Sequence, residues 1–307
     1  MPEAVISVKG LRKSYGALEA LRGIDLEVRR GEIFAFLGPN GAGKTTAISV
    51  LEGYLERDGG TVEVLGEDPA TAGREWRGRV GFVLQECRME SLLTVRETLT
   101  MYAGYYRDPR PVEATIDLVG LAEKADERAG RLSGGQQRRL DVAVALVGDA
   151  ELLFLDEPTT GFDPSARRAA WAVIEGLRDL GKTVMLTTHY MDEAQALADR
   201  VAVITAGEII AAGTPDDLGG RRHADSLISF DLPAAAAVSA VRGAVTGEWT
   251  QSNGRLALRS ADPTRSLHEL TAWALDHDVR LGGLEVTRPS LEDVYLDLIG
   301  EERGRAT

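Results

Sequence analysis

Hydrophobic and polar positions along the first 219 residues form two alternating patterns: short compact apolar runs, and longer stretches with apolar residues at helical spacing. The short runs predict strands and the longer stretches predict helices. Strands that alternate with helices imply a parallel sheet covered by helices, so we predict an α/β fold. The opening three strands have no helix between them, which predicts an antiparallel β edge on that core. The predicted strands are 5–8, 24–28, 33–37, 80–84, 152–155 and 183–187, and the predicted helices are 45–54 and 94–106.

A different pattern follows the turn signal at 213–215 and a linker-like segment at 219–223. It reads strand, helix, strand, strand, helix, strand, which is the βαββαβ order of a ferredoxin-like α+β domain. Asn253-Gly254 predicts a hairpin between the middle strands. A closing helix over 291–299 carries one apolar face. The predicted segments are 226–232, 234–242, 245–251, 255–259, 263–277 and 279–286.

The composition fits two folded domains, 1–219 and 220–307, although the second segment could also be an extension of the first. Hydrophobic residues at 44% and charged residues at 27% exclude a wholly disordered chain. The formal net charge of −13 argues against a nucleic-acid partner, which needs a basic face. The single cysteine, Cys87, excludes an intramolecular disulfide and indicates a reducing compartment. Because there is no signal-peptide pattern and no apolar run of about 18 residues, we expect a soluble, cytoplasmic chain.

A glycine-rich motif at 38–45 matches G-x-x-x-x-G-K-[ST] between a predicted strand and a predicted helix. Glycines let successive backbone N–H groups turn toward one anion, and the start of the helix adds positive potential. Lys44 would neutralise the β- and γ-phosphates of a nucleotide, and the Thr45 hydroxyl would ligate Mg²⁺. The flanking strand and helix disfavour the alternative, a glycine-rich turn with an incidental lysine. The predicted binding residues here are Gly38, Asn40, Gly41, Ala42, Gly43, Lys44, Thr45 and Thr46.

Two acids, Asp156 and Glu157, end the apolar run at 152–155. A buried strand would deliver Asp156 at the carboxyl end of the sheet, where α/β folds place ligands and where it can hold the Mg²⁺ shell. Glu157 would then be available to orient and deprotonate a water molecule. The alternative interpretation is an N-cap pair that leads into Pro158.

A third motif, LSGGQQRRL, occupies residues 132–140. Ser133 fits a helix N-cap, with Gln136 at the capping-box position. A cap does not explain Gly134 and Gly135, which allow close approach of the backbone to another group. A serine, exposed N–H groups and a helix N-terminus make a second phosphate site. Two phosphate-binding surfaces on different elements suggest a nucleotide that is shared across an interface.

In this order the motifs resemble those of the ATP-binding cassette (ABC) ATPases, whose signature is LSGGQ, and the resemblance covers residues 4 to about 218. Tyr15 matches the family's aromatic residue that stacks on adenine, and Gln85 matches the glutamine that contacts Mg²⁺ and the attacking water. Asp163 matches the aspartate of the loop that crosses the dimer interface, and His189 matches the histidine that touches the γ-phosphate. One departure is Phe162, where the family usually has leucine; this is a conservative apolar change.

The resemblance implies both a mechanism and partners. Two cassettes would pair head to tail as a homodimer, with each ATP lying between the phosphate loop of one and the signature residues 133–136 of the other. Hydrolysis would open the pair, and the motion would pass through the Gln85 region to a separate transmembrane permease. The chain would then be peripheral on the inner face of the cell membrane. The implied catalytic residues are Lys44, Glu157 and His189, and the implied Mg²⁺ ligands are Thr45, Gln85 and Asp156.

The segment 281–296 resembles the C-terminal tail of bacterial drug-resistance exporters of the anthracycline type. It implies an ATPase subunit that powers the efflux of a drug or another hydrophobic compound. The alternative is a non-transport ABC ATPase acting on nucleic acid or ribosomes, which the single phosphate loop and the acidic balance disfavour. A scaffold role would require a dead site, whereas Lys44, Asp156, Glu157 and His189 are all present.

Overall fold

The chain forms two compact units, Met1–Pro215 and Asp216–Thr307. No helix in the described part of the chain is long and apolar enough to cross a membrane. The predicted linker at 219–223 and Gln85 lie outside that part. The computed structural model describes residues 3–83, 90–218, 225–233, 238–252, 255–287 and Tyr295.

The first unit contains strands and helices in alternation after an opening β-hairpin. In chain order its elements are β1 (Ala4–Tyr15), β2 (Leu18–Arg29), β3 (Ile33–Leu37), α1 (Lys44–Leu51), β4 (Gly59–Val64), α2 (Arg74–Gly78), β5 (Val80–Val83), α3 (Val95–Ala103), α4 (Val112–Leu118), α5 (Gly134–Leu146), β6 (Leu152–Asp156), α6 (Pro164–Asp179), β7 (Thr183–Thr188), α7 (Met191–Leu197), β8 (Arg200–Thr205) and β9 (Glu208–Gly213).

A mixed sheet with the strand order β5-β6-β7-β3-β8-β9 forms the centre of this unit. The pairs from β5 to β8 are parallel, and β9 pairs with β8 in the antiparallel sense. Every residue of β3, β6 and β7 is buried, as expected for strands covered on both faces. The predicted α/β core is therefore confirmed. Because parallel strands end at one edge, the residues that follow β3, β6 and β7 lie together there.

The prediction that the first three strands form an antiparallel edge is wrong for the third strand, β3. The second sheet has the order β2-β1-β4, whereas β3 lies in the central sheet between β7 and β8. The reason is visible in the burial patterns. Strands β1 and β2 alternate between buried and exposed residues, as one-sided strands do, whereas β3 is buried throughout and fits only a sheet covered on both faces.

The predicted helix cap is present, whereas two helices end earlier than predicted. Ser133 and Gln136 form the predicted capping box at the start of α5. Helix α1 ends at Leu51 rather than at residue 54, because Gly53 adopts a positive φ of 76°. Helix α3 ends at Ala103, with Gly104 as its C-cap, rather than at residue 106.

The second unit is a four-stranded antiparallel sheet with the order β11-β12-β10-β13. Its core contains alternating residues of the central strands, such as Ile228 and Phe230, packed with Val241 and Leu270 of the helices. The hairpin residues 253–254 and most of the predicted closing helix lie outside the described residues, although Tyr295 is buried. The elements are β10 (Ser226–Asp231), α8 (Val238–Ala244), β11 (Glu248–Ser252), β12 (Arg255–Ser260), α9 (Pro263–Asp276) and β13 (Gly282–Thr287).

Candidate nucleotide site

The glycine-rich loop follows β3 and leads directly into α1, so it lies at the carboxyl edge of the central sheet. Gly41 and Gly43 have φ values of 80° and 107°, which favour glycine. A Cβ atom at Gly43 would lie 2.6 Å from the Ala20 carbonyl oxygen, and one at Gly38 would lie 2.2 Å from that of Ile204. The glycines therefore allow both the curved backbone and its close packing.

A cavity of about 580 Å³ opens over this loop. Tyr15 is 51% exposed at its edge, and Ala42 is buried in the loop behind the lining residues. The backbone N–H groups of the loop and α1, together with the Lys44 ammonium, suit a polyphosphate. The lining residues that the sequence predicted are Tyr15, Asn40, Gly41, Gly43, Lys44, Thr45, Thr46 and Glu157; those it did not are Leu18, Glu19, Ala20, Arg22, Ala206 and Gly207.

Lys44 is buried, with 5% of its surface exposed. Its Nζ donates to the carbonyl oxygens of Gly38 at 2.7 Å and Pro39 at 3.2 Å, and it lies 3.5 Å from Glu157 Oε1. Burial lowers the pKa of Lys44, and the charge of Glu157 opposes this only in part. The ammonium is thus held among oxygen atoms at the base of the cavity.

Glu157 contacts the other two predicted catalytic residues, Lys44 and His189. Its Oε1 lies 3.3 Å from His189 Nδ1 as well as 3.5 Å from Lys44 Nζ, and its Oε2 accepts a hydrogen bond from Thr160 Oγ1 at 3.1 Å. Burial raises the pKa of Glu157, but Thr160, Lys44 and His189 together outweigh burial and bring that pKa below its usual value. The carboxylate is therefore ionised at neutral pH, as a general base must be.

Asp156 lies beside the first turn of α1. The Thr45 Oγ1 is 3.5 Å from Asp156 Oδ2, and the Thr187 hydroxyl donates to Asp156 Oδ1. Hydroxyl and carboxylate oxygens are the ligands that Mg²⁺ prefers, so Thr45 and Asp156 fit the predicted metal site. Thr187 also accepts a hydrogen bond from the Glu157 N–H at 3.0 Å, and sequence reasoning missed it. Its only signal was a hydroxyl residue inside a buried apolar strand.

The signature residues line a second cavity of about 260 Å³, distinct from the cavity over the phosphate loop. Ser133, Gly135 and Gln136 meet Asp163 there, and a Cβ atom at Gly134 would have no neighbour within 4 Å. Asp163 caps α6 by accepting hydrogen bonds from the next turn. Within the described chain the two predicted phosphate-binding surfaces are therefore separate.

Glu193 is a buried carboxyl group that sequence reasoning also missed. Its Oε1 accepts hydrogen bonds from Thr159 Oγ1 at 2.7 Å and from Trp171 Nε1 at 3.1 Å. Burial raises the pKa of Glu193. This carboxyl group connects α7, which follows His189, with the segment after Glu157 and with α6.

A glycine-lined cradle beside a buried lysine, with a base and a hydroxyl–carboxylate pair at the same sheet edge, defines a phosphate-loop nucleoside triphosphatase. Two family models match the chain: an ABC transporter model over residues 21–160, and a model of the C-terminal domain of ABC transporter domain-containing proteins over residues 226–290. The chain belongs to the ATP-binding subunits of ABC transporters and is an ATPase of that family.

Full-length relatives support this membership. The daunorubicin resistance ATP-binding protein DrrA3 of Streptomyces coeruleorubidus is 36% identical over 99% of this chain and 98% of its own length. The Nod factor export ATP-binding protein I of Ralstonia nicotianae is 37% identical over 97% and 94%. The linearmycin resistance ATP-binding protein LnrL of Bacillus subtilis is 33% identical over 96% and 98%.

A solved structure agrees for the first unit. The structure of CbiO1 from Clostridium perfringens, described as part of the ABC transporter complex CbiONQ, has a TM-score of 0.64 and 27% identity. The match covers 70% of this chain and 90% of CbiO1.

Proposed function

We propose that this chain is the ATP-hydrolysing subunit of an exporter and works with a separate transmembrane permease and a second copy of its own cassette. The geometry of Glu157, 3.3 Å from His189 and 3.5 Å from Lys44, carries the proposal of hydrolysis. Relatives named for daunorubicin resistance, linearmycin resistance and Nod factor export support the proposal of export. The cargo would be a drug or another hydrophobic compound, and the permease would hold the chain at the inner face of the membrane.

Each predicted residue has a place in this function. The backbone N–H groups of Gly38 and of residues 40–46, together with the Lys44 ammonium, bind the β- and γ-phosphates of ATP, while Tyr15 stacks on adenine. Thr45 and Asp156, with Gln85, would hold Mg²⁺, which would supply positive charge to offset that of the phosphates.

The reaction is one of positioning and charge stabilisation. Glu157 orients the attacking water and accepts its proton, since the pKa of this carboxyl group is held low enough to keep it ionised. His189, which lies beside Glu157, contacts the γ-phosphate. Residues 133–136 and Asp163 of a second copy close the site, because in one chain they line a different cavity from the phosphate loop.

The second unit is proposed to be a ferredoxin-like domain, supported by its element order and by the strand order β11-β12-β10-β13. With the first unit it would make two domains with a boundary near residue 219. Its role would be to stabilise the cassette dimer or to regulate coupling to the permease. A chain truncated after residue 219 should lose dimerisation or export. If ATPase activity, dimerisation and export are all unchanged, this role is wrong.

Glu157→Gln tests the proposed hydrolysis. The amide keeps the shape of the side chain but cannot accept the proton, so the variant should bind Mg·ATP, accumulate as a dimer and keep only a small residual turnover. Glu175→Gln, an exposed residue of α6, is the control and should behave as the wild type. Normal turnover in Glu157→Gln would remove Glu157 from the role of base.

Export is tested in cells that carry the chain together with a candidate permease, which is sought in the adjacent reading frame. Wild-type chain should lower the cellular accumulation of an anthracycline or another hydrophobic drug, whereas Glu157→Gln should not. Membrane association should also require the permease. Tight RNA binding at physiological salt, with no permease-dependent association, would instead favour an ABC ATPase that acts on nucleic acid.

A further inference from the structure

Glu157 has a backbone conformation that residues other than glycine rarely adopt, with a φ of 46°. Left-handed backbone is unfavourable for an L residue, and it persists only where the surrounding contacts fix it. One such contact is the hydrogen bond from the Glu157 N–H to Thr187 Oγ1, at 3.0 Å. The direction of the Glu157 carboxylate therefore depends on the groups that hold its backbone.

Arg138 holds the chain on both sides of Glu157. Its Nη2 donates to the carbonyl oxygen of Asp156 at 2.8 Å, and its Nε donates to that of Pro158 at 3.1 Å. Because the guanidinium group is planar and rigid, its two donors fix the separation of the two carbonyl oxygens. A lysine has a single ammonium group and lacks this fork.

Arg138 is itself held in a fixed position. Its side chain is buried, and its Nη1 lies 3.7 Å from Asp141 Oδ2, nearly one helical turn further along α5. Helix α5 packs in the core through Leu140 and Ala143, and it begins at the capping box of Ser133. One rigid helix thus connects the signature cavity with the two carbonyl oxygens that flank Glu157.

We propose that Arg138 is a positioning residue for hydrolysis: it holds the backbone of Glu157 so that the carboxylate stays beside Lys44 and His189. Arg138 lines neither the cavity over the phosphate loop nor the signature cavity. It acts through the main chain on either side of Glu157, so its loss lowers turnover more than it weakens nucleotide binding. The inference rests on the proposed role of Glu157.

The test compares Arg138→Met and Arg138→Lys with the wild type in the full-length chain, measuring kcat, KM, the Kd for ATP and the melting temperature. Both variants should lose about 10- to 100-fold in kcat, the size of effect that follows from misplacing a reacting group by about 1 Å. KM and Kd should stay within about two-fold. Arg79→Met is the matched control. Arg79 also donates to a carboxylate, that of Glu151, and to a main-chain carbonyl oxygen, that of Leu65, but it lies immediately before β5 and not at the carboxyl edge of the sheet.

A double variant separates positioning from a merely structural role. If Arg138 acts through Glu157, the residual turnover of Arg138→Met combined with Glu157→Gln should equal that of Glu157→Gln alone. The inference is overturned if Arg138→Met keeps the wild-type kcat. It is also overturned if Arg138→Met lowers kcat by the same factor in the Glu157→Gln background as in the wild type, or if Arg79→Met loses as much kcat at a similar melting temperature. Failure of the proposed function would be distinct, since Glu157→Gln itself would then retain normal turnover.

Discussion

Glu52 offers a test of the electrostatics around the phosphate site. It caps the C-terminal end of α1 and is only 8% exposed. Burial, with a smaller contribution from the charge of Asp156, raises the pKa of Glu52 from 4.5 to about 8. A carboxyl group that keeps its proton to such a high pH makes folding pH-dependent, and the sign and size of this effect can be worked out.

Between pH 4.5 and about 8, the folded chain keeps the Glu52 proton and the unfolded chain releases it. The unfolded state then binds fewer protons, so the free energy of unfolding falls as the pH rises through this window. Each pH unit within this window lowers the free energy of unfolding by about 1.4 kcal/mol. From pH 5 to pH 8 the loss attributable to Glu52 is therefore about 4 kcal/mol at most.

Glu52→Gln removes the titration and keeps the shape of the side chain. At pH 5 the variant and the wild type should differ by less than about 1 kcal/mol, whereas at pH 8 the variant should be more stable by about 2–4 kcal/mol. The assay is urea unfolding at several pH values, without nucleotide and with a chelator. The second unit is identical in both chains and cancels from the difference.

Glu56→Gln is the control, because Glu56 lies four residues further along and is exposed. It should change stability little at any of these pH values. If the stability difference between Glu52→Gln and the wild type is the same at pH 5 and pH 8, Glu52 is not protonated in the folded chain. The assignment of a raised pKa to this residue would then be refuted.

Two further substitutions test the packing of the first unit by changes in the free energy of unfolding. Gly60→Ala should destabilise by about 2 kcal/mol more than Gly66→Ala: both glycines have a φ of 84°, but only at Gly60 would the Cβ atom meet a carbonyl oxygen, at 2.4 Å. Equal losses would show that the clash is relieved. Arg200→Met should cost about 3 kcal/mol at pH 7, because it removes the 3.0 Å ion pair from the buried Glu32. Because burial raises the pKa of Glu32, this carboxyl group takes up a proton as the pH falls, so the loss of stability in Arg200→Met should shrink toward pH 5. Adding Glu32→Gln should restore stability. A loss of stability that does not depend on pH would contradict the reasoning.

The predictions that succeeded depend on local chemistry. The phosphate loop is recognisable because its glycines, Lys44 and Thr45 are consecutive, and the structure has that loop between β3 and α1. The cap at Ser133 is likewise specified within four residues. Sheet membership failed for β3, because proximity in sequence was given more weight than its uninterrupted burial, the pattern that marks a two-sided strand.

The parts of the site that sequence reasoning missed depend on the topology instead. Thr187 reaches both acids only because β7 is the neighbour of β6 in the central sheet. Arg138 bonds to main-chain carbonyl oxygens, which every residue has, so no residue type at positions 156 or 158 could indicate it. The positive φ of Glu157 has no signature in the sequence either, since glycine is the usual marker of that conformation.

Several carboxyl groups lie near Lys44 at the nucleotide site, and they differ in how their charges are stabilised or removed. Asp156, Glu157 and Glu52 all lie near the end of β6 or α1, and Lys44 is the cation that pairs with Glu157 there. If all three carboxyl groups were ionised, their mutual repulsion would add to the free-energy cost of burying their charges. The hydroxyl of Thr187 donates a hydrogen bond to Asp156, and the proton retained by Glu52 removes one charge from the group. Glu157 itself stays ionised as the base because Thr160, Lys44 and His189 together outweigh its burial.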